Sequence, residues 1–366
     1  MQIVVIQTAY LGDVILTTPL LVELERLYPG SKIHFVTTVA GSNALAGFKN
    51  VVPYVYEKRK TAFVEGIREL RNRLLIANRN LPFDLVLIAH RSFRSLVLGA
   101  SIPARRRLSF ETFQSRLLKY FLNLETVVYP PYSDAIHYTQ RPLEFVRFLS
   151  NSTQVPDRRP RLHKNLDTDG SLEKKIGHRL DLPYCVVSPF STWGTKMWHG
   201  DRFAELASII VKRYSMPVYF CGEPDPKCRV MAEKMFHTFK ASLEDAGTEN
   251  TGANLVGETS VGEMVSLIAN AKLLIANDSA PVHVASSFNV PTVAIFGPTV
   301  KRFGFFPLAD RQVMVERTNL DCRPCSLHGP ELCPKGHFKC MNEIQVEDVF
   351  KAVQNVTRGL PCFEQH

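Results

Sequence analysis

IQTAYLGDVILTTPLL, residues 6–21, is the stretch on which the fold turns. An apolar run, Ile3 to Ile6, leads into a turn that holds one glycine, Gly12, and at once a carboxylate, Asp13. The turn lacks the three glycines of a G-x-G-x-x-G dinucleotide loop and the glycines and lysine of a Walker loop. What remains is a strand, a tight turn and a helix, with an aspartate at the mouth of the first strand. Leu20, Leu21, Leu24 and Leu27 recur at helical spacing. Pro19, just behind Thr17 and Thr18, suits a helix's first turn, and PGSKI (residues 29–33) ends the segment. The pattern predicts a helix over 14–27, for which Asp13 could serve as N-cap.

The same alternation runs along most of the chain. QIVVIQ, KIHFVTT and DLVLIA read as buried parallel strands of a first series. From about residue 184 a second series begins with YCVVS, PVYFC, KLLIAND and PTVAIFG. A helix marked by Phe203, Leu206, Ile209 and Ile210 and a short one in APVHVASSF lie among them. Residues from about 150 to 180 are polar and rich in breakers, and read as the connection between two halves. The class is α/β, with an N-terminal Rossmann-like domain over 1–165 and a C-terminal one over 166–366. In open parallel sheets ligands bind beyond the carboxyl ends of the strands, which is where Asp13, PFSTWGTK, GEPDP and NDSAPVH all fall.

A chain of 366 residues with 45% hydrophobic residues accommodates two such cores. Its opening apolar segment has no basic flank and no stretch is apolar for the ~18 residues of a membrane span, so a soluble, cytosolic protein is expected. The net charge of +9 is unevenly spread. Residues 1–160 hold 21 Lys and Arg against 12 Asp and Glu, whereas the remainder holds 23 of each. The excess, clustered at KRK (58–60), HRSFR (90–94) and RRR (105–107), reads either as solvated surface or as a face for nucleic acid, a membrane surface or a phosphorylated substrate.

Three loops carry candidate chemistry. In NDSAPVHVASS (277–287), Asn277 or Asp278 can cap a helix starting near Ser279, whose amides and dipole suit a diphosphate. His283 either reaches that ligand or faces the core. In SPFSTWGTKMW (188–198), the hydroxyls of Ser191, Thr192 and Thr195 accompany Lys196, as a phosphate site requires, although the two tryptophans could equally pack the loop down. CGEPDP supplies Glu223, a carboxylate able to accept from ribose hydroxyls. Finally, Cys322, Cys325, Cys333 and Cys340 begin with a C-x₂-C spacing that reads as a zinc or iron site or as reduced thiols in a packed loop.

Taken in order, LGDVILTTPLL, HRSFRSLVL, SPFSTWGTKMW, NDSAPVHVASSFNVPTVAIFGPT and CRPC…CPKGHFKCM resemble glycosyltransferase family 9, the ADP-heptose:lipopolysaccharide heptosyltransferases. The resemblance implies a GT-B architecture: two Rossmann-like domains with parallel sheets facing across a central cleft, the acceptor held N-terminally and the nucleotide-sugar C-terminally, with the C-terminal tail packing back on the N-terminal domain. It implies an inverting transfer of heptose from ADP-heptose to a lipid A–Kdo core acceptor at the cytoplasmic face of the inner membrane. Asp13 takes the place of the family's general base, and Lys196 with the Ser279 helix terminus would neutralise the leaving ADP. Ser191, Thr192, Thr195 and Lys196 would hold the diphosphate, Glu223 the ribose, Thr259 the adenine side and Asp278 the sugar hydroxyls.

Ala280 departs from the family's usual N-D-S/T-G, placing a methyl where the backbone approaches the ligand. The resemblance requires no cofactor for the chemistry, although relatives that glycosylate proteins carry a four-cysteine iron finger. Arg59, Lys60, Arg91 and Arg94 are the candidates for the acceptor's phosphates and carboxylates. A protein acceptor, or a catalytically silent nucleotide-sugar- or nucleic-acid-binding module, are the competing readings. No nucleic-acid motif is present to support the last, and a nucleic-acid partner is not expected.

Overall fold

Strand-forming β-branched and aliphatic runs build two parallel sheets, each in its own compact unit, Met1–His163 and Lys164–His366. The computed structural model describes residues 1–57, 62–152, 157–164, 166–244 and 251–364. In the first unit, β1 (Gln2–Ile6), β2 (Lys32–Thr37), β3 (Val51–Val55), β4 (Phe83–Ile88), β5 (Ala104–Phe110) and β6 (Glu125–Val127) lie in the order β3-β2-β1-β4-β5-β6. That is the Rossmann order, and the strand order reverses between β1 and β4. Side chains on β1 alternate between faces. Ile3 and Val5 join one fully buried cluster with Val14 and Leu24, while Val4 and Ile6 join another with Leu70 and Leu98.

The second unit contains β7 (Cys185–Ser188), β8 (Val218–Phe220), β9 (Leu273–Asn277), β10 (Thr292–Phe296) and β11 (Gln312–Glu316), ordered β11-β10-β9-β7-β8. An isolated parallel bridge, Phe220 to Asn254, stands beyond β8 where a Rossmann sheet has its outer strand. Here the order reverses between β7 and β9. The tail through Phe363 packs in this unit's own core, with the helix Val346–Thr357 burying Val349, Val353 and Val356.

Two expectations change. The first helix spans Leu11–Leu27, so Asp13 sits in its first turn and Tyr10 is the N-cap, which no side chain caps. Pro19 is therefore inside the helix rather than at its start. A proline there removes the amide that would bond the Ile15 carbonyl. The Thr18 hydroxyl fills that gap by donating to the Ile15 carbonyl at 2.6 Å. The polar connection also holds a helix, Leu166–Ile176. Leu172 on it is fully buried, and Lys175 pairs at 2.7 Å with Glu263 of the helix Val261–Asn270.

Candidate functional site

Both switch points carry polar clusters. At the first, Asp13 is fixed from beneath. The Thr17 hydroxyl donates to the Asp13 carbonyl at 2.8 Å, and Gln7 on the loop after β1 reaches Thr17 at 3.3 Å. The Asp13 carboxylate accepts a hydrogen bond from the Tyr138 hydroxyl. Burial first, and then the nearby negative charge of Asp13, push that phenol well above its usual value.

Tyr138 belongs to an aromatic cage. The guanidinium of Arg141, fully buried, lies 5.3 Å from the Tyr138 ring centroid, 4.4 Å from Tyr132 and 5.1 Å from Tyr129. On Tyr129 stands a second cation, Arg91, at 3.9 Å. Burial drives the Tyr129 phenol up to about 12 against the opposing pull of these arginines. A run of contacts thus joins Asp13 through Tyr138, Arg141 and Tyr129 to the exposed Arg91. Stacked guanidinium and phenol faces hold the cations in place.

Of the acceptor candidates, Arg91 enters this run. Arg94 sets its guanidinium 5.1 Å from Phe63, on the helix Phe63–Ala77. Arg59 and Lys60 lie outside the described residues. Tyr129, Tyr138 and Arg141, in YPPYSDAIHYTQR, are not among the sequence candidates, since no periodicity or motif marks them. Three tyrosines of the segment gather round Arg141, which sits in the first turn of the helix Gln140–Ser150.

At the second switch point the loop after β7 holds Lys196 in a single turn of 3₁₀ helix, Gly194–Lys196. Its ammonium pairs with Asp278 at 2.7 Å, and both side chains are buried. Thr299 donates to the same carboxylate oxygen at 2.6 Å. Asp278 and Asn277 do not cap the helix Ala280–Ser287, whose N-cap is Ser279 without a side-chain cap. Asn277 instead ties two loops together, donating to the Pro189 carbonyl at 2.6 Å and accepting from the Trp198 amide at 3.1 Å. The amides opening that helix are consequently left uncapped by side chains, beside Lys196's partner. Ala280, as its first residue, has a helical backbone that alanine adopts as readily as glycine.

His283 lies inside, 4% exposed, with burial lowering its pKa to about 4. Its Nδ1 has no hydrogen-bond partner among the described residues. Thr192 and Glu223 are exposed and Ser191 half-buried, at the ends of β7 and β8. Thr259 directly precedes Ser260, which caps the helix Val261–Asn270.

Thr195 turns the other way, onto the cysteine segment. Its amide and hydroxyl both donate to the Pro330 carbonyl. The Gly194 amide donates to Glu331 at 3.2 Å, and Trp193 stacks on His328 at 6.3 Å with 14° between the rings. Residues 328–331 are thus a brace for the lysine loop. Among the described residues the geometry gives no support to a zinc or iron site at Cys322, Cys325, Cys333 and Cys340. All are free thiols, and no three His, Cys, Asp or Glu groups among the described residues converge on a metal position. Cys340 is packed into the hydrophobic core, where burial raises its thiol to about 11, and Cys325 turns to the Cys322 carbonyl at 3.4 Å.

Comparison with known proteins follows the same lines. Residues 71–332 match the model of glycosyltransferase family 9 (heptosyltransferase). Lipooligosaccharide heptosyltransferase 2 of Campylobacter jejuni subsp. jejuni serotype O:6 is 22% identical over 362 residues, 98% of this chain and 99% of its own. Among solved structures, E. coli ADP-heptose LPS heptosyltransferase II superposes with a TM-score of 0.72 at 20% identity, covering 97% of this chain and 98% of that one. E. coli heptosyltransferase WaaC with ADP superposes at 0.68 and 16% identity, covering 97% and 100%. These likenesses give the two sheets the fold of the GT-B class. With its family model matched across both units, the chain belongs to glycosyltransferase family 9, the heptosyltransferases.

Proposed function

We propose that this glycosyltransferase moves heptose from ADP-heptose to the lipopolysaccharide inner core, working at the cytoplasmic face of the inner membrane. The observation that carries the reading is the pairing of two unlike sites, a caged carboxylate at one switch point and a buried lysine beside uncapped helix amides at the other. Relatives are named as lipooligosaccharide and lipopolysaccharide heptosyltransferases, and one neighbour was solved with ADP.

Asp13 acts as general base. The Tyr138 hydroxyl donates to its carboxylate and orients it for an acceptor hydroxyl. As that oxygen attacks the anomeric carbon, its proton passes to Asp13, and ADP departs from the opposite face with inversion. The negative charge that grows on the leaving diphosphate falls to Lys196 and the amides at Ser279 and Ala280. Asp278 keeps the ammonium of Lys196 aimed, Ser191 and Thr192 on the same loop serve the diphosphate, and Thr195 anchors that loop to the Pro330 carbonyl. Glu223 and Thr259, at neighbouring strand and helix ends, serve the nucleoside. Arg91 takes an anionic group of the acceptor.

The test is ADP release from ADP-heptose with a heptose-deficient lipopolysaccharide acceptor, in wild type and Asp13→Ala. Acceptor-dependent release that drops by at least ~10²-fold in the variant supports the base assignment. Release that survives the change would return Asp13 to a structural role in its helix. Absence of release with every core acceptor would sink the substrate assignment.

A further inference from the structure

The helix Phe113–Leu122 is amphipathic in the wrong sense for a helix that only needs to pack on its own sheet. Leu118 and Leu122 suffice for the inner side, where they meet the cluster around Leu74 and Leu96. On the outer side Phe113, Leu117, Tyr120 and Phe121, spaced i, i+4, i+7 and i+8, are 74%, 57%, 82% and 85% exposed. Four large apolar side chains on one outward stripe form a patch of the kind that marks an interaction surface. The helix is held rigidly enough to present them, since Thr112 and Ser115 close a capping box at its start.

The surroundings specify what meets the stripe. Between residues 91 and 119 the chain has seven arginines and lysines; Arg105, Arg106 and Arg116 pair with Asp84, Glu125 and Glu111, which leaves a local excess of four positive charges (seven less three). Two of these cations, Arg116 and Lys119, are on the helix itself; Lys119 lies over the Tyr120 ring at 4.9 Å. A second copy of the chain meeting this stripe about a two-fold axis would bring like charges together. An anionic lipid surface would instead receive the aromatic side chains at headgroup depth and neutralise the cations around them.

The stripe also adjoins the proposed acceptor groups. The start of this helix and the start of the helix Phe93–Ser101 line one cavity, with Arg91, Phe93, Thr112 and Gln114 in its wall. Phe93 is itself 56% exposed. Among the described residues no helix is long and apolar enough to cross a membrane.

We propose that the outward stripe Phe113, Leu117, Tyr120 and Phe121, with Arg116 and Lys119, docks the protein on an anionic bilayer. It rests on the reading above in one respect, that the acceptor is a lipid whose sugars must be presented to Arg91 and Asp13. The side chains insert only to interface depth, so attachment is reversible and sensitive to salt.

The experiment is flotation of the full chain with vesicles of phosphatidylglycerol and phosphatidylethanolamine, and with vesicles of phosphatidylcholine alone. Wild type is expected to float with the anionic vesicles and less with the zwitterionic ones. Tyr120→Ser/Phe121→Ser, at two exposed positions, is expected to lower the bound fraction about tenfold while its ADP release with a deacylated, soluble acceptor stays at the wild-type level. Arg116→Gln/Lys119→Gln is expected to lower it about fivefold per cation at low salt and to flatten the salt dependence. Equal flotation of wild type and the serine variant would overturn the proposal. So would a wild type that ignores the vesicles, including one that forms a dimer which the serine variant dissolves. Vesicle binding that depends on Tyr120 and Phe121 in a protein inactive on every acceptor would refute the transferase assignment and leave the docking surface standing.

Discussion

Lys196 and Asp278 form a 2.7 Å ion pair with 10% and 4% of their side chains exposed, and Thr299 donates to the same aspartate oxygen. The pair joins two loops at the second sheet's switch point, so its disruption tests both stability and the donor site. Removing one member of a buried pair leaves the other charge without compensation, at about 3–5 kcal/mol. Asp278→Asn should lower the unfolding free energy by about 3 kcal/mol, and Lys196→Met/Asp278→Asn should recover a large part of it. Urea denaturation of the single and double variants measures this. A double variant whose loss equals the sum of the losses in Asp278→Asn and Lys196→Met alone would show that the two charges are not coupled.

Tyr138→Phe removes one hydrogen-bond donor from the Asp13 carboxylate and leaves its ring for Arg141 to pack on. The lost bond favoured the ionised carboxylate, so the acid limb of the kcat/KM profile should move to higher pH. A fall of about tenfold at neutral pH is expected, the size of one hydrogen bond to a charged group. An unmoved limb with unchanged kcat/KM would mean that the tyrosine does nothing for the base.

The pH dependence of stability should carry the mark of two buried imidazoles. Burial holds His283 and His34 at about 4, below the ordinary 6.5. Between these values the unfolded chain binds more protons than the folded one, so stability rises with pH across about 4 to 6.5 and is lost as pH falls through that window. Each contributes roughly 3 kcal/mol over the full window. In His283→Gln the loss between pH 7 and pH 4.5 should shrink to about half, leaving the share of His34. Thermal melts across this range read it directly, and an unchanged slope would mean that His283 titrates normally in the folded protein.

Gly329 connects the brace to the lysine loop. Its φ is +81°, and an added Cβ would lie 3.0 Å from Pro298 Cγ, 3.2 Å from Thr195 Oγ1 and 3.4 Å from Lys196 Cγ. Gly329→Ala should therefore cost about 1 kcal/mol in backbone strain and displace the loop that carries Lys196. KM for ADP-heptose should rise several-fold, with a smaller change in kcat. Steady-state kinetics against the donor distinguish this from an effect confined to folding, in which both constants would stay put.

Much of this was legible in the chain because the relevant physics is local. Buried parallel strands announce themselves as unbroken aliphatic runs, and both residues follow such strands, Lys196 in the loop after β7 and Asp13 already inside the helix after β1. The start of the first helix was misread because Pro19 is a start signal in most contexts, and only the placement of the Thr18 hydroxyl makes it tolerable further in. The helix Leu166–Ile176 was hidden by its polar surface, since a helix that buries little more than one stripe needs few apolar residues. The cage of Arg141 draws tyrosines from a loop without periodicity, so no spacing marks it. The cysteine spacing suits a metal, but Cys340 packs into the core and Cys325 turns to the Cys322 carbonyl, an arrangement that spacing alone does not foretell.

The Thr18 hydroxyl has a second duty that bears on ancestry. It donates to the Ile15 carbonyl and at the same time accepts from the Arg161 amide at 2.8 Å, where the chain leaves the first unit. With alanine at position 19 the Ile15 carbonyl would have its helical amide and the hydroxyl would matter only to Arg161. A lineage that gained Pro19 before a hydroxyl at 18 would have passed through a form with a buried carbonyl unpaired, about 1–3 kcal/mol less stable. Thr18 is thus permissive for Pro19, and the reverse step is closed while the proline stays. Present-day substitutions at 18 should be tolerated far better in a Pro19→Ala background than in the native one, a ratchet set by a single oxygen atom.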